Sequence, residues 1–272
     1  MQAIKIKEKI LEILFPTPKI CPLCGLKQDR LEICEDCLQL KRKISQEEGQ
    51  CNRCGSFSQH GVYCPTCYGW PEGYIKNTAA FPYQDEFEQL VRNFKFNYHG
   101  YLANSAALAI FKELCRNKAL IIDMAGALII PVPMSPKRKR QKGYNQAEVL
   151  AIQLANIMET EISLRVLLRP KDTPHQVGLN RQERRKNLRE AFMIPKDRVK
   201  DIEDRTIILV DDVITTSTTL QECAKILLNK GAKKVFSVTI AAGKNPQYPQ
   251  PVDTEKKRPL KECAKDGSKE LP

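Results

Sequence analysis

Between residues 21 and 67 the chain carries four CxxC pairs, Cys21 with Cys24, Cys34 with Cys37, Cys51 with Cys54 and Cys64 with Cys67, and any fold must satisfy all eight sulfurs. Adding 30 to each member of the first two pairs gives the last two, and the step Cys24-Gly25 recurs as Cys54-Gly55, so the segment is a duplicated module. A CxxC turn points two thiolates at one ion, and two such turns close a tetrahedral shell around zinc at about 2.3 Å. Two structural zinc ions are expected, because closed four-cysteine shells leave no coordination position for a substrate. Iron–sulfur ligation draws on the same four thiolates. Pairing within each thirty-residue repeat is the simplest arrangement, and a crossed arrangement meets the same ligand count.

Other uses of these thiols fit less well. Eleven cysteines are an odd number, which a closed disulfide framework does not accommodate, and no βαβ pattern flanks the pairs as in a thioredoxin-type redox site. Residues 1–18 read as an amphipathic helix: Lys5, Lys7, Glu8, Lys9 and Glu12 interrupt the apolar run that a signal peptide needs. No stretch approaches the roughly 20 apolar residues of a membrane span. The expected compartment is the cytoplasm, where thiols stay reduced. Cys115 and Cys223 lie in apolar helical patterns and are expected in the core, whereas Cys263 falls in a polar tail.

Composition changes after Trp70 and Pro71, where the cysteine repeat stops. The chain therefore divides into a double zinc-ribbon module over 19–74, an α/β domain over 75–244, and a Pro-, Lys- and Glu-rich tail over 245–272 that is expected to be disordered. Apolar spacing predicts helices over 84–93, 102–115, 145–158 and 219–229, and buried strands over 127–132, 207–213 and 234–240. Alternating strands and helices imply crossover connections and a parallel sheet.

The formal net charge is +12, and it is not spread evenly. Residues 131–200 hold 16 basic and 7 acidic side chains and so supply nine of the twelve excess charges. Two clusters stand out on expected connecting segments: Lys137, Arg138, Lys139, Arg140 and Lys142, then Arg181, Arg184, Arg185, Lys186 and Arg189. Clusters of this kind suit phosphate, so the partner is expected to be anionic. On the ribbon, Lys41, Arg42, Lys43 and Arg53 offer further contacts to nucleic acid or a partner.

The sharpest motif runs from Ile207 to Leu220, IILVDDVITTSTTL. Four apolar residues make a buried strand, Asp211 and Asp212 sit at its C-terminal edge, and Thr215, Thr216, Ser217, Thr218 and Thr219 open the next helix. In a parallel α/β sheet ligands bind at that edge. Backbone N–H groups at a helix start favour phosphate, and carboxylates accept hydrogen bonds from sugar hydroxyls.

At these residues the chain resembles a type I phosphoribosyltransferase, whose phosphoribosyl pyrophosphate motif is an apolar strand, two acidic residues and a Thr-Thr-Gly loop. Pro131-Val132-Pro133, the Lys137–Lys142 run, Gly143 to Glu148, Gln176 to Leu179, Arg181, Glu183 to Arg185 and Asn187 are together similar to the ComF family of competence proteins, as is the cysteine array. The resemblance reaches to about residue 243. It implies that Asp211 and Asp212 hold the ribose hydroxyls, that Thr215 to Thr219 cradle the 5′-phosphate, and that the diphosphate, carried with Mg2+, lies near residues 133–138. The family loop usually has Gly where this chain has Ser217, and glycine takes positive φ without strain.

Two function classes follow. One is a DNA-handling protein of natural transformation, binding single-stranded DNA and phosphoribosyl pyrophosphate and working with a DNA-uptake helicase, a partner implied by the resemblance alone. In this reading Tyr144 offers a ring on which a base can stack. The other is a catalytic phosphoribosyltransferase on an unidentified acceptor, or a regulator that senses the donor through the same fold. The lone His99 and His175 point to no acceptor site.

Overall fold

Ile207, Ile208, Leu209 and Val210 are fully buried, and a run of that kind satisfies its backbone only inside a sheet covered on both faces. The computed structural model describes residues 20–24, 26–27, 33–56, 64, 67, 69–96, 100–170 and 191–243. In it the run forms the centre of β3 (Thr206–Ile214), which lies between β4 (Lys234–Ala242) and β2 (Leu128–Pro131), while β1 (Tyr74–Pro82) flanks β4. All three pairings are parallel and the order is β1-β4-β3-β2, with Ile207 opposite both Leu128 and Val235 and Asp211 opposite Thr239. The expected parallel α/β architecture is the one observed.

Helix α1 (Glu35–Glu48) lies within the cysteine module. Between β1 and β2 the chain forms α2 (Asp85–Phe96), α3 (Gly100–Leu114) and α4 (Lys118–Asp123). After β2 come α5 (Pro136–Lys142) and α6 (Gln146–Met158), and α7 (Thr218–Asn229) joins β3 to β4. One face of the sheet, presenting Ile208, Val210, Phe236 and Val238, is covered by α2, α3 and α6 through Phe87, Leu90, Ile110, Leu150 and Leu154. The opposite face, presenting Ile207, Leu209 and Val235, is covered by α7 through Leu220, Cys223, Ala224 and Leu227.

The cysteine module sits against strand β1, an edge strand whose outward backbone groups need partners. Cys21 and Cys37 pack into the first core with Phe81, whereas Cys51, Cys54, Cys64 and Cys67 pack into the second with Tyr74 and Ala79. The two halves of the repeat thus go to opposite faces of the sheet. The Asn77 backbone amide donates to the Arg53 carbonyl at 2.7 Å, and at the knuckle Gly55 a Cβ would lie 3.5 Å from Ala79 Cβ and 3.6 Å from the Asn77 carbonyl oxygen.

Several elements depart from the sequence expectation. Strand β1 was not anticipated, because Lys76, Asn77 and Thr78 break the apolar run, yet Asn77 is fully buried. Its amide donates to the Cys54 carbonyl (3.0 Å) and Thr239 Oγ1 (3.2 Å), and its carbonyl oxygen accepts from Ser237 (2.8 Å). Cys115, expected in the core, is exposed just beyond α3, whereas Cys223 is buried as expected. The helix expected over 1–18 and the tail over 245–272 lie outside the described residues, as do His99, His175 and Cys263. Among the described residues no helix is long and apolar enough to cross a membrane.

Gly73 opens β1 with φ of +83°, and a Cβ there would come within 2.7 Å of Leu228 Cδ2 on α7. Gly73→Ala is expected to cost about 2 kcal/mol, from backbone strain plus displacement of the leucine, read as a lower urea midpoint at unchanged m-value.

Candidate functional site

The eight sulfurs form two groups, Cys21, Cys24, Cys34, Cys37 and Cys51, Cys54, Cys64, Cys67, with the four atoms of each group within 4.8 Å of one another. The pairing is therefore within each repeat, not crossed. Sulfur–sulfur separations are 3.9 Å for Cys21–Cys37, 3.6 Å for Cys24–Cys34, 3.7 Å for Cys51–Cys67 and 3.4 Å for Cys54–Cys64. A tetrahedron of Zn–S bonds of about 2.3 Å has an edge of about 3.8 Å, so both donor sets fit zinc. The backbone amides of Cys34 and Cys64 donate to the sulfurs of Cys21 and Cys51, each at 3.4 Å, and stabilise negative charge on those atoms. Hydrogen bonding from Cys37 holds the Cys21 thiol down to about 4, and the Cys37 thiol is pushed far up in return. Thiolates packed this closely need a cation to coexist.

At the sheet's C-terminal edge β3 delivers Asp211 and Asp212, both partly exposed beyond the sealed run. Enclosure pushes the Asp211 carboxyl up to about 8, with the neighbouring Asp212 charge adding to the effect. The Asp212 amide, Lys95 and Arg169 pull the other way. Lys95, in the last turn of α2, lies 3.4 Å from Asp212, and its carbonyl accepts from Tyr144 (3.2 Å) and Gln146 (3.3 Å). Arg169 is buried, its guanidinium over the Phe192 ring, on a segment joined by the Leu168–Met193 backbone pair. Sequence reading missed Lys95 and Arg169, since neither lies in a motif; the helix and the bridge carry them to the aspartates from 117 and 42 residues away.

The hydroxyl run behaves less uniformly than expected. Thr215 is exposed, Thr216 and Thr219 are half-buried, and Ser217 and Thr218 are buried. Thr216 and Thr218 place their hydroxyls 3.1 Å apart. Ser217 is the residue before α7, with φ of +56°, and its side chain makes no capping bond. An L-residue in that left-handed region costs on the order of 1 kcal/mol, so glycine's usual conformation is kept at this position without glycine. The Ser217 hydroxyl instead faces the interior, 3.1 Å from Trp70 Nε1 and 2.5 Å from the Gln221 amide.

The first basic cluster, expected on a connecting segment, forms α5, with Ser135 before it and Gly143 closing it at φ of +84°. Lys137 and Arg140 are exposed. Lys139 is held by both oxygens of Glu148 at 2.8 Å. Lys142 lies over the Tyr144 ring, and burial lowers its pKa while Asp212 raises it. Arg138 turns one nitrogen, Nη2, into the interior, where no acceptor is found among the described residues. Arg181, Arg184 and Arg185 lie outside the described residues. The ribbon cations are largely committed to the fold: Lys41 is buried against Glu113, Arg42 pairs with Glu35 at 2.8 Å, and Arg53 donates to the Cys67 and Tyr74 carbonyls.

Metal analysis of the purified protein should find two zinc ions per chain, and Cys64→Ser should lose one of them. Asp211 gives a pH test. Its folded pKa near 8 against an unfolded value of about 3.9 means that the folded state binds the extra proton between these limits, so its contribution to stability falls as pH rises through them. Asp211→Asn removes the titration, and without ligand the variant's Tm at pH 8 should exceed that of the wild type by on the order of 5 °C, the gap closing toward pH 4.

The sequence profile of the double zinc ribbon domain matches residues 10–68, and that of the phosphoribosyl transferase domain matches residues 134–266. DNA utilization protein YhgH of Salmonella typhimurium is 26% identical over 225 residues, covering 82% of this chain and 96% of that protein. Competence protein ComFC of Bacillus subtilis is 25% identical over 232 residues, covering 82% and 78%. A purine phosphoribosyltransferase from Pyrococcus horikoshii overlies 57% of this chain at 15% identity with a TM-score of 0.30, too loose a likeness to bear on the site. Competence protein F of Haemophilus influenzae is 31% identical over 189 residues, spanning 68% of this chain and 81% of that protein, and on that extent of shared sequence the chain belongs to the ComF family of competence and DNA utilization proteins.

Proposed function

We propose that this protein handles single-stranded DNA in the cytoplasm and binds phosphoribosyl pyrophosphate at the end of its central strand. The observation that carries the pocket reading is the position of Asp211 and Asp212 in the C-terminal half of β3, beyond its buried run and ahead of Ser217, the left-handed residue that precedes α7. Carboxylates there suit the ribose hydroxyls, and the amides of residues 215–219 at the helix start suit the 5′-phosphate. The diphosphate, with Mg2+ and its oxygen ligands, belongs beside α5, where Arg138 turns an unaccepted N–H inward. The DNA reading is supported by the exposed Lys137 and Arg140, by the Tyr144 ring under Lys142 at the end of the same basic run, and by membership in a family whose named relatives include competence and DNA utilization proteins. Arg181, Arg184 and Arg185 extend the same basic stretch in sequence. A DNA-uptake helicase as partner follows from family membership alone.

Gel retardation of labelled single-stranded DNA at moderate salt tests the nucleic-acid reading. Wild-type protein is expected to retard it, and Lys137→Ala/Arg140→Ala should weaken binding and reduce the salt slope by about 0.7 for each phosphate no longer neutralised. Unchanged binding in both this variant and Arg184→Ala/Arg185→Ala would sink it. Calorimetric titration with phosphoribosyl pyrophosphate and Mg2+ tests the pocket, where Asp211→Ala should lose binding.

A second reading, transfer of the phosphoribosyl group to an acceptor, draws on the Asp211 carboxyl, whose pKa near 8 suits proton exchange at neutral pH. It requires diphosphate release from the donor with pooled nucleobases, above the rate of Asp211→Ala.

A further inference from the structure

The chain contains one tryptophan, Trp70, and it lies three residues beyond the last cysteine ligand. Its backbone amide donates to the Cys67 carbonyl at 3.2 Å, and its ring stacks on Tyr74 with centroids 3.9 Å apart and planes within 5°. The Arg53 guanidinium lies over the same ring, 5.2 Å from its centroid, while donating to the Cys67 and Tyr74 carbonyls. The indole is therefore fixed by the second cysteine cluster and the start of β1.

Its one polar atom is directed across the core. Trp70 Nε1 donates to Ser217 Oγ at 3.1 Å, linking residues 147 positions apart, and Ser217 is only 4% exposed. Gln221, one turn along α7 and also buried, completes the group. With its amide oriented to satisfy all members, the Gln221 oxygen shares the indole N–H with Ser217 Oγ (3.2 Å from Trp70 Nε1) and accepts from Ser217 Oγ (2.5 Å), and its nitrogen donates to the Gly69 carbonyl (3.2 Å). Ser217 is also the residue held at positive φ where the chain turns into α7. A serine can hold that conformation when the surrounding structure over-determines it, and here its side chain is bonded both to Trp70 and to Gln221.

We infer that Trp70 is a positioning residue: its indole N–H, anchored beside the second cysteine cluster, holds Ser217 and the 215–219 turn in the conformation that presents the start of α7 to a phosphate. The inference rests on the pocket reading above for its ligand, and it adds that the metal module sets the geometry of that pocket. Ser217 is then not a weakened glycine but a tether point, its hydroxyl committed to the protein.

Because Trp70 is the sole tryptophan, it can be replaced throughout the protein by benzothienylalanine, which keeps the ring shape and the stacking on Tyr74 but has no N–H donor. Fluorotryptophan, which keeps the N–H, is the control. Loss of the donor should raise hydrogen exchange at the amides of residues 215–221 and weaken ribose 5-phosphate binding about fivefold, with fluorotryptophan protein matching the wild type. Trp70→Phe should follow the benzothienylalanine protein, and ribose 5-phosphate should shift the emission of native Trp70. Equal exchange and equal affinity with and without the N–H would overturn the inference while leaving the pocket reading intact. Wild-type protein that binds no ribose 5-phosphate would overturn the pocket reading and the ligand-positioning role together, even if exchange at the turn still depended on the N–H.

Discussion

The 2.7 Å hydrogen bond from the Asn77 amide to the Arg53 carbonyl joins the first strand of the sheet to a metal knuckle, and much of the molecule is arranged around that contact. An edge strand with a polar centre is a poor strand by itself. Here Lys76, Asn77 and Thr78 are tolerated because the ribbon covers the outer backbone and the Asn77 side chain finds acceptors in Cys54 and Thr239. Without the ribbon, the buried Asn77 amide would lose the Cys54 carbonyl, and an unpaired buried polar group costs about 1–3 kcal/mol. The metal module is thus part of the core of the sheet domain. Its two cysteine clusters divide between the two hydrophobic cores that lie on either side of the sheet.

That dependence explains which parts of the architecture were legible from sequence. Strand β2 and residues 207–210 of β3 are continuous apolar runs, β4 is mostly apolar and buried, and helices α2, α3, α6 and α7 carry clear apolar spacing, so local pattern alone identifies them. The cysteine ligands were legible because metal geometry demands a fixed spacing, although the choice between paired and crossed sites needed the fold. Strand β1 was hidden because its burial comes from partners remote in sequence: Tyr74 and Asn77 are paired with Ser237 and Thr239. Cys115 was misplaced for the converse reason, since the apolar pattern of α3 stops one residue before it.

The candidate site was half legible. Asp211 and Asp212 advertise themselves as charges ending an apolar strand, but the cations that balance them do not. Lys95 ends an ordinary amphipathic helix, and Arg169 follows a short bridged segment, so each reaches the aspartates only through the crossover topology. Net charge was a coarser guide than it first looked. Lys139, Lys41 and Arg42 are spent on Glu148, Glu113 and Glu35, which leaves Lys137 and Arg140 as the outward cations of α5.

The site also holds two opposed requirements in one strand. Enclosure at the end of the sealed run makes an ionised carboxylate at Asp211 expensive, and Asp211 responds by holding its proton toward neutral pH. A group whose charged form is disfavoured in the empty protein is one whose charged form is stabilised by whatever cation or hydrogen-bond donor arrives. On the proposed reading, sugar hydroxyls would donate and a divalent ion would bring positive charge, both in the direction that favours the ionised Asp211. The left-handed turn at Ser217 follows the same logic: strain and desolvation are concentrated within a seven-residue stretch, Asp211 to Ser217, and are sustained by the sealed strand on one side and the ribbon's indole on the other.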